Sequence, residues 1–221
     1  MINFTPVKNI ILTAALSGVL AGLLLTVIQH FGVMPALFEA EVYEQAANEA
    51  ILKGPEEWEP EDGTERTLFT GLANISVAFS FAMLLGAAIL VSGKQVTWRS
   101  GLLWGLAGYA VFFIAPALGL PPEVPGTEAA ALQHRQVWWV ATVLATAIGL
   151  ALLVSMRNWP LKVSGLLLAI LPHLISAPHP EVLSSTAPQA IVQAFIYSTT
   201  LANLFFWLAL GGLQGMLTKT D

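Results

Sequence analysis

Four histidines, His30, His134, His173 and His179, and the glutamates Glu39, Glu41 and Glu44 are the side chains of this sequence best suited to chemistry. Imidazole with carboxylate is a ligand set for a borderline divalent ion such as Co²⁺, Ni²⁺ or Zn²⁺, whereas soft Cu⁺ prefers thiolate or clustered thioether. The chain has no cysteine, which removes thiolate metal sites, disulfides and a cysteine nucleophile together. His173 and His179 lie in the stretch Leu171-Pro-His-Leu-Ile-Ser-Ala-Pro-His-Pro-Glu181, where prolines interrupt an apolar run. His30 follows Gln29 at the end of another such run, where an amphipathic side chain can also simply reach interfacial water. No HxxxH, HExxH, GxSxG or GxxxxGK[ST] pattern and no basic patch occurs. The residues therefore point to a protein that is not an enzyme, holds no tightly bound cofactor, has no ATP motor of its own and binds no nucleic acid.

These side chains must be held by an unusually apolar chain. Of its 221 residues 56% are hydrophobic and only 10% charged, too few charges to coat a soluble domain. Six apolar segments, at about 9 to 30, 68 to 92, 100 to 120, 136 to 156, 161 to 177 and 192 to 217, approach or exceed the roughly 20 residues that span a bilayer. The expectation is an all-α, polytopic membrane bundle of about six helices, with five as the alternative, forming one transmembrane domain over 1–221. The first segment lacks a small-x-small cleavage pattern and is read as a retained span.

Positive residues are held on the cytoplasmic side of short loops. With both termini inside, Lys8, Lys94, Arg99, Arg157, Lys162 and Lys219 are cytoplasmic, and Lys53, Arg66 and Arg135 external. In this arrangement every acidic residue except Asp221, and all four histidines, fall on or near the outer face. The external loop 33–67 is strongly acidic: from Gly32 to Thr67 ten acidic residues stand against two basic ones. Its first half reads as a short helix after Pro35 that places Glu41 and Glu44 on one face and stops at Gly54. Its second half, Glu56 to Asp62, reads as irregular and solvated. An acidic outer face raises the local cation concentration, an effect that weakens with salt.

Two further patterns bear on mechanism. Gly86-Ala-Ala-Ile-Leu-Val-Ser-Gly-Lys is similar to Gly149-Leu-Ala-Leu-Leu-Val-Ser-Met-Arg, Ser100-Gly-Leu-Leu to Ser164-Gly-Leu-Leu, and Pro122-Glu-Val to Pro180-Glu-Val, in the same order. That order suggests a parallel hairpin repeat of spans 2-3 and 4-5, with chance similarity among Leu, Ala and Gly as the rival. Pro116 and Pro172 fall near the outer ends of spans; proline removes a backbone donor, so both are candidates for gating bends. Pro172 is expected to kink or end its helix just before His173. Asn74, Gln193, Asn203 and Gln214 lie in or near spans and suit interhelical hydrogen bonds better than substrate binding.

The sequence resembles the CbtA family of predicted cobalt transporter subunits. The resemblance rests on Gln29-His30 after the first span, Ala40-Glu-Val-Tyr-Glu44, Gly119-Leu-Pro-Pro-Glu-Val-Pro-Gly126, Arg135-Gln-Val-Trp-Trp139, Pro172-His173 and Ala177-Pro178. It implies a bacterial inner-membrane protein of cobalt uptake, connected with cobalamin supply and paired with a small one-span CbtB subunit. The family is described with five spans, whereas six apolar segments are counted here.

Taken together, the expected function is uptake of a divalent transition metal, Co²⁺ by resemblance, captured at an acidic outer vestibule. His30, His173 and His179 are the candidate ligands or relay points, with Glu41 and Glu44 as carboxylates at the mouth. The alternative is a scaffold or sensor that moves no ion and presents the acidic loop to a partner. Only neutral imidazole binds metal, so uptake through histidines is expected to weaken as external pH falls below the histidine range.

Overall fold

The computed structural model describes residues 5–49, 58, 60–181 and 184–218. Its helices are α1 (Thr5–Gly32), α2 (Met34–Glu49), α3 (Thr64–Ser92), α4 (Trp98–Ala117), α5 (Leu132–Ser155), α6 (Trp159–Ile175) and α7 (Gln189–Leu217). No strand occurs among the described residues. Among the described residues five helices, α1, α3, α4, α5 and α7, are long and apolar enough to cross a membrane. The fifth apolar segment forms α6, whose 17 residues rise only about 25 Å against a hydrocarbon core of about 30 Å. Five full-length candidates and one shorter apolar helix thus account for the six segments. Leu16, Leu103, Leu144 and Leu167 are each at least half exposed, as lipid-facing helix surfaces require.

The contacts sort into two units, one of residues 1–35, 53–108 and 198–221, the other of 36–52 and 109–197. In the first unit, glycines at four-residue spacing let helices touch backbone to backbone. A Cβ added at Gly18 would lie 2.7 Å from Phe79 Cα, and one at Gly22 2.6 Å from Ile75 Cα, so α1 seats directly on α3. Gly101 and Gly105 of α4 meet Gly211 and Gly215 of α7 in the same way; a Cβ on Gly211 would reach the Gly105 nitrogen at 2.6 Å. Small-xxx-small seams of this kind replace the hydrophobic drive that lipid cannot supply between apolar helices. Phe206, Trp207 and Leu210 fill the remaining core, and Phe81 packs on Trp207 with ring centroids 4.9 Å apart.

One buried polar group ties this unit together. Gln214, 1% exposed, donates from Nε2 to Ser17 Oγ at 3.1 Å and to the Ala82 carbonyl at 3.0 Å, linking α7 to α1 and α3. Asn74 makes a second interhelical link, donating to Thr26 Oγ1 at 3.1 Å and Gln29 Oε1 at 2.7 Å. Asn203 behaves differently from the expectation: its Nδ2 bonds the Thr199 carbonyl one turn back in its own helix, and Gln193 is exposed. Replacing Gln214 by Leu is expected to destabilise the protein by about 1–2 kcal/mol, measured by denaturation in detergent. Stability equal to that of the exposed Gln193→Leu variant would show that these bonds contribute nothing.

In the second unit α5 packs on α6 through Gly149 and Gly165; a Cβ on Gly149 would meet the Gly165 carbonyl at 2.5 Å. The two glycines that the proposed repeat aligns with them, Gly86 and Gly101, have other neighbours, Gly86 lying by Ile10 and Gln214 and Gly101 by Gly211. α2 begins at Met34 with Pro35 in its first turn, where the missing N–H is harmless. Its expected stop at Gly54, and Glu56, Glu57, Glu59, Lys53, Lys219 and Asp221, lie outside the described residues.

α4 contains a π-type segment, Ala110–Ile114, in which the Ala115 N–H bonds the Ala110 carbonyl five residues back. Pro116 follows immediately and is buried. A helical proline lacks the N–H that would reach the carbonyl four residues earlier, here Phe112, and its ring crowds that carbonyl. The wider turn relieves this crowding and leaves a local irregularity of the kind found at helix hinges.

Candidate functional site

One end of the second unit gathers α2, the segment between α4 and α5, and the segment between α6 and α7. Ala40 of α2, Val124, Ala187 and Ile191 form one buried cluster, with Ala36, Val192 and Phe195 against it. The two connecting segments also pair through a single antiparallel bridge, Thr127 with Ser185. Around it the Thr186 N–H bonds the Gly126 carbonyl at 3.2 Å, the Glu128 N–H the Ser184 carbonyl at 3.0 Å, and Ser184 Oγ the Glu128 carboxylate at 3.0 Å. Gly126 sits at φ 72°, and a Cβ there would strike Thr186 and come within 3.3 Å of Glu44 Cβ. Only glycine suits this turn. The layer carries Glu39, Glu41, Glu44 and Glu49 on α2, and Glu123, Glu128 and Glu181 in the segments.

Trp138 of α5 organises the end of α6. The helix does not stop at Pro172 but runs one further turn to Ile175. The Pro172 carbonyl therefore belongs to the last turn, whose carbonyls have no intrahelical donor, and the Trp138 indole N–H supplies one at 3.3 Å. The His173 ring, half-buried, lies edge-on to Trp138 with centroids 6.0 Å apart. Gly119 lies against the other part of the same indole, where a Cβ would collide with it. The chain then turns at Ser176, φ 68°.

The sequence-predicted residues are placed as follows. His173 and Pro172 stand together against Trp138, and the His173 ring nitrogens hold no hydrogen bond to another described residue. His179 is exposed in the segment after α6. Glu41 and Glu44 are half-buried on α2, Glu44 against the Gly126 turn. His30 belongs to the first unit, exposed at the end of α1 with its ring edge-on to Phe31 at 4.9 Å. Pro116 follows the π segment. Among the described residues no three His, Asp or Glu side chains come together closely enough to hold a metal ion.

Residue-type reasoning gave Trp138 no role, although its indole N–H is a donor that needs an acceptor when buried. Its place four residues after His134 at the start of a span was the available signal. Arg135, one turn into α5, pairs with Glu123 at 2.5 Å.

The chain matches no curated protein and no solved structure. A family profile described as "probable cobalt transporter subunit (CbtA)" matches residues 7–219. That span takes in every described helix nearly end to end and the whole layer of α2 and the two segments, so the chain belongs to the CbtA family of multi-pass membrane proteins, described as cobalt transporter subunits.

Proposed function

We propose that the chain takes up Co²⁺ from outside a bacterial inner membrane, with α6 as a short sixth crossing and both termini cytoplasmic, working with a small one-span partner subunit. Family membership over residues 7–219 is the observation that carries the cargo assignment. The clustering of α2 with the two segments supports an acidic capture end, since it joins the helix that bears Glu39, Glu41, Glu44 and Glu49 to the segments that bear Glu123, Glu128, His179 and Glu181. His30, His173 and His179 act as ligands or relay points, each tested singly, with Glu41 and Glu44 as entrance carboxylates. An ion that keeps part of its water shell, or shares ligands with a partner, binds weakly enough to leave.

Labelled cobalt uptake in cells expressing the chain, alone and with the one-span partner, tests the proposal. Cobalt accumulation above the vector control in at least one setting is expected. No accumulation in either, at verified membrane abundance, would hand the lead to the scaffold or sensor reading.

A further inference from the structure

A groove of about 710 Å³ lies between the π segment of α4 and the first turns of α5. Its α5 wall is a single helical stripe, Leu132, Arg135, Gln136, Trp139 and Val140, at the i, i+3, i+4, i+7, i+8 spacing of one face. Phe112 and Pro116 line the α4 wall, so the wide turn that Pro116 imposes also shapes the slot. The stripe descends about 12 Å from Leu132 to Val140, roughly the depth of one leaflet's hydrocarbon. Both helices are of spanning length and composition, so a lipid chain is an apolar filling available to an open slot here.

The polar end of the groove selects the headgroup. Glu123 and Arg135 form an ion pair there, with side chains 28% and 26% exposed. The pair uses an Nη of Arg135, and its Nε is buried with no acceptor. Arg135 keeps further N–H donors on a side chain that is 26% exposed, and these take an acceptor from what enters the groove. A phosphate oxygen supplies one with charge assistance, and a primary ammonium beside it donates to the Glu123 carboxylate. An anionic headgroup without that ammonium would set its phosphate against Glu123 uncompensated.

The geometry points to a lipid-binding site: one phospholipid with a zwitterionic, primary-ammonium headgroup, its phosphate on Arg135, its ammonium on Glu123 and one acyl chain along Trp139 and Val140. The site shares Glu123 with the acidic layer but needs no metal ion, so its binding is measured whether or not the chain moves cobalt.

Native mass spectrometry of the delipidated full-length protein tests it. The protein is titrated separately with phosphatidylethanolamine, phosphatidylcholine and phosphatidylglycerol of identical acyl chains. The first phosphatidylethanolamine is expected to bind about tenfold more tightly than either other lipid, the value of one charge-assisted hydrogen bond. Glu123→Gln removes the advantage over phosphatidylcholine, whose quaternary ammonium cannot donate. Arg135→Gln brings the first lipid down to the affinity of later ones. Val140→Trp fills the slot without touching the ion pair and weakens the first site for all three, which keeps the test decisive if Arg135→Gln fails to fold. Equal binding of the three lipids by the wild type, preference for phosphatidylglycerol, or no effect of Val140→Trp would overturn the assignment and leave only ordinary surrounding lipid.

Discussion

Gly211→Leu is expected to destabilise the protein by about 3 kcal/mol or more, enough to deplete it from the membrane. The Gly211 Cβ direction runs into the Gly101 carbonyl and the Gly105 backbone, which belong to another helix and cannot rotate away as a side chain tip could. α7 would have to lift from α4, and Gln214, three residues on, would be drawn from Ser17 and the Ala82 carbonyl. Gly32→Ala is the control, because no atom lies within 4 Å of a Cβ there. Abundance and detergent denaturation of both variants measure the effect. A Gly211→Leu protein as stable as the control would mean that the α4–α7 seam is not a structural requirement.

His173→Ala is expected to lower cobalt uptake about tenfold or more at matched membrane abundance, the scale on which metal-site substitutions act. Because His173 also packs edge-on to Trp138, His173→Phe separates packing from ligation: it keeps a ring against the indole and lacks both nitrogens. Uptake retained by the Phe variant would assign His173 a packing role only, and uptake unchanged in the Ala variant would move the path elsewhere. Under histidine ligation, wild-type uptake is expected to fall as external pH is lowered, because imidazolium cannot bind metal. A flat pH response would argue against histidine ligation altogether.

Hydropathy made the membrane spans legible, since bilayer thickness sets a length that composition alone reveals. α2 was legible for a similar local reason, a proline start followed by helical spacing. Pro116 and Pro172 could be marked as irregular positions, but not in which way. One widens the turn before it and the other is carried through to Ile175. That difference depends on neighbours, and at Pro172 the indole of Trp138 satisfies a carbonyl that the helix leaves open. The Thr127–Ser185 bridge joins segments far apart in the chain and has no local signature. The glycine seams did have one: Gly18 and Gly22, Gly101 and Gly105, and Gly211 and Gly215 all show the GxxxG spacing, although spacing does not name the partner helix. Likewise the histidines and glutamates were visible as types, while the division of His30 from Glu41, Glu44, His173 and His179 between two units depends on tertiary contacts.

The glycine seams bear on idleness as much as on stability. A membrane that stores a proton or sodium gradient is drained by any continuous file of water, and a transporter spends part of its cycle with nothing to carry. Where helices touch so closely that a single added carbon would collide with the opposite backbone, as α1 does with α3 and α4 with α7, no such file can pass the point of contact. At those contacts two of the joints in the first unit are therefore insulated against leak by the absence of side chains.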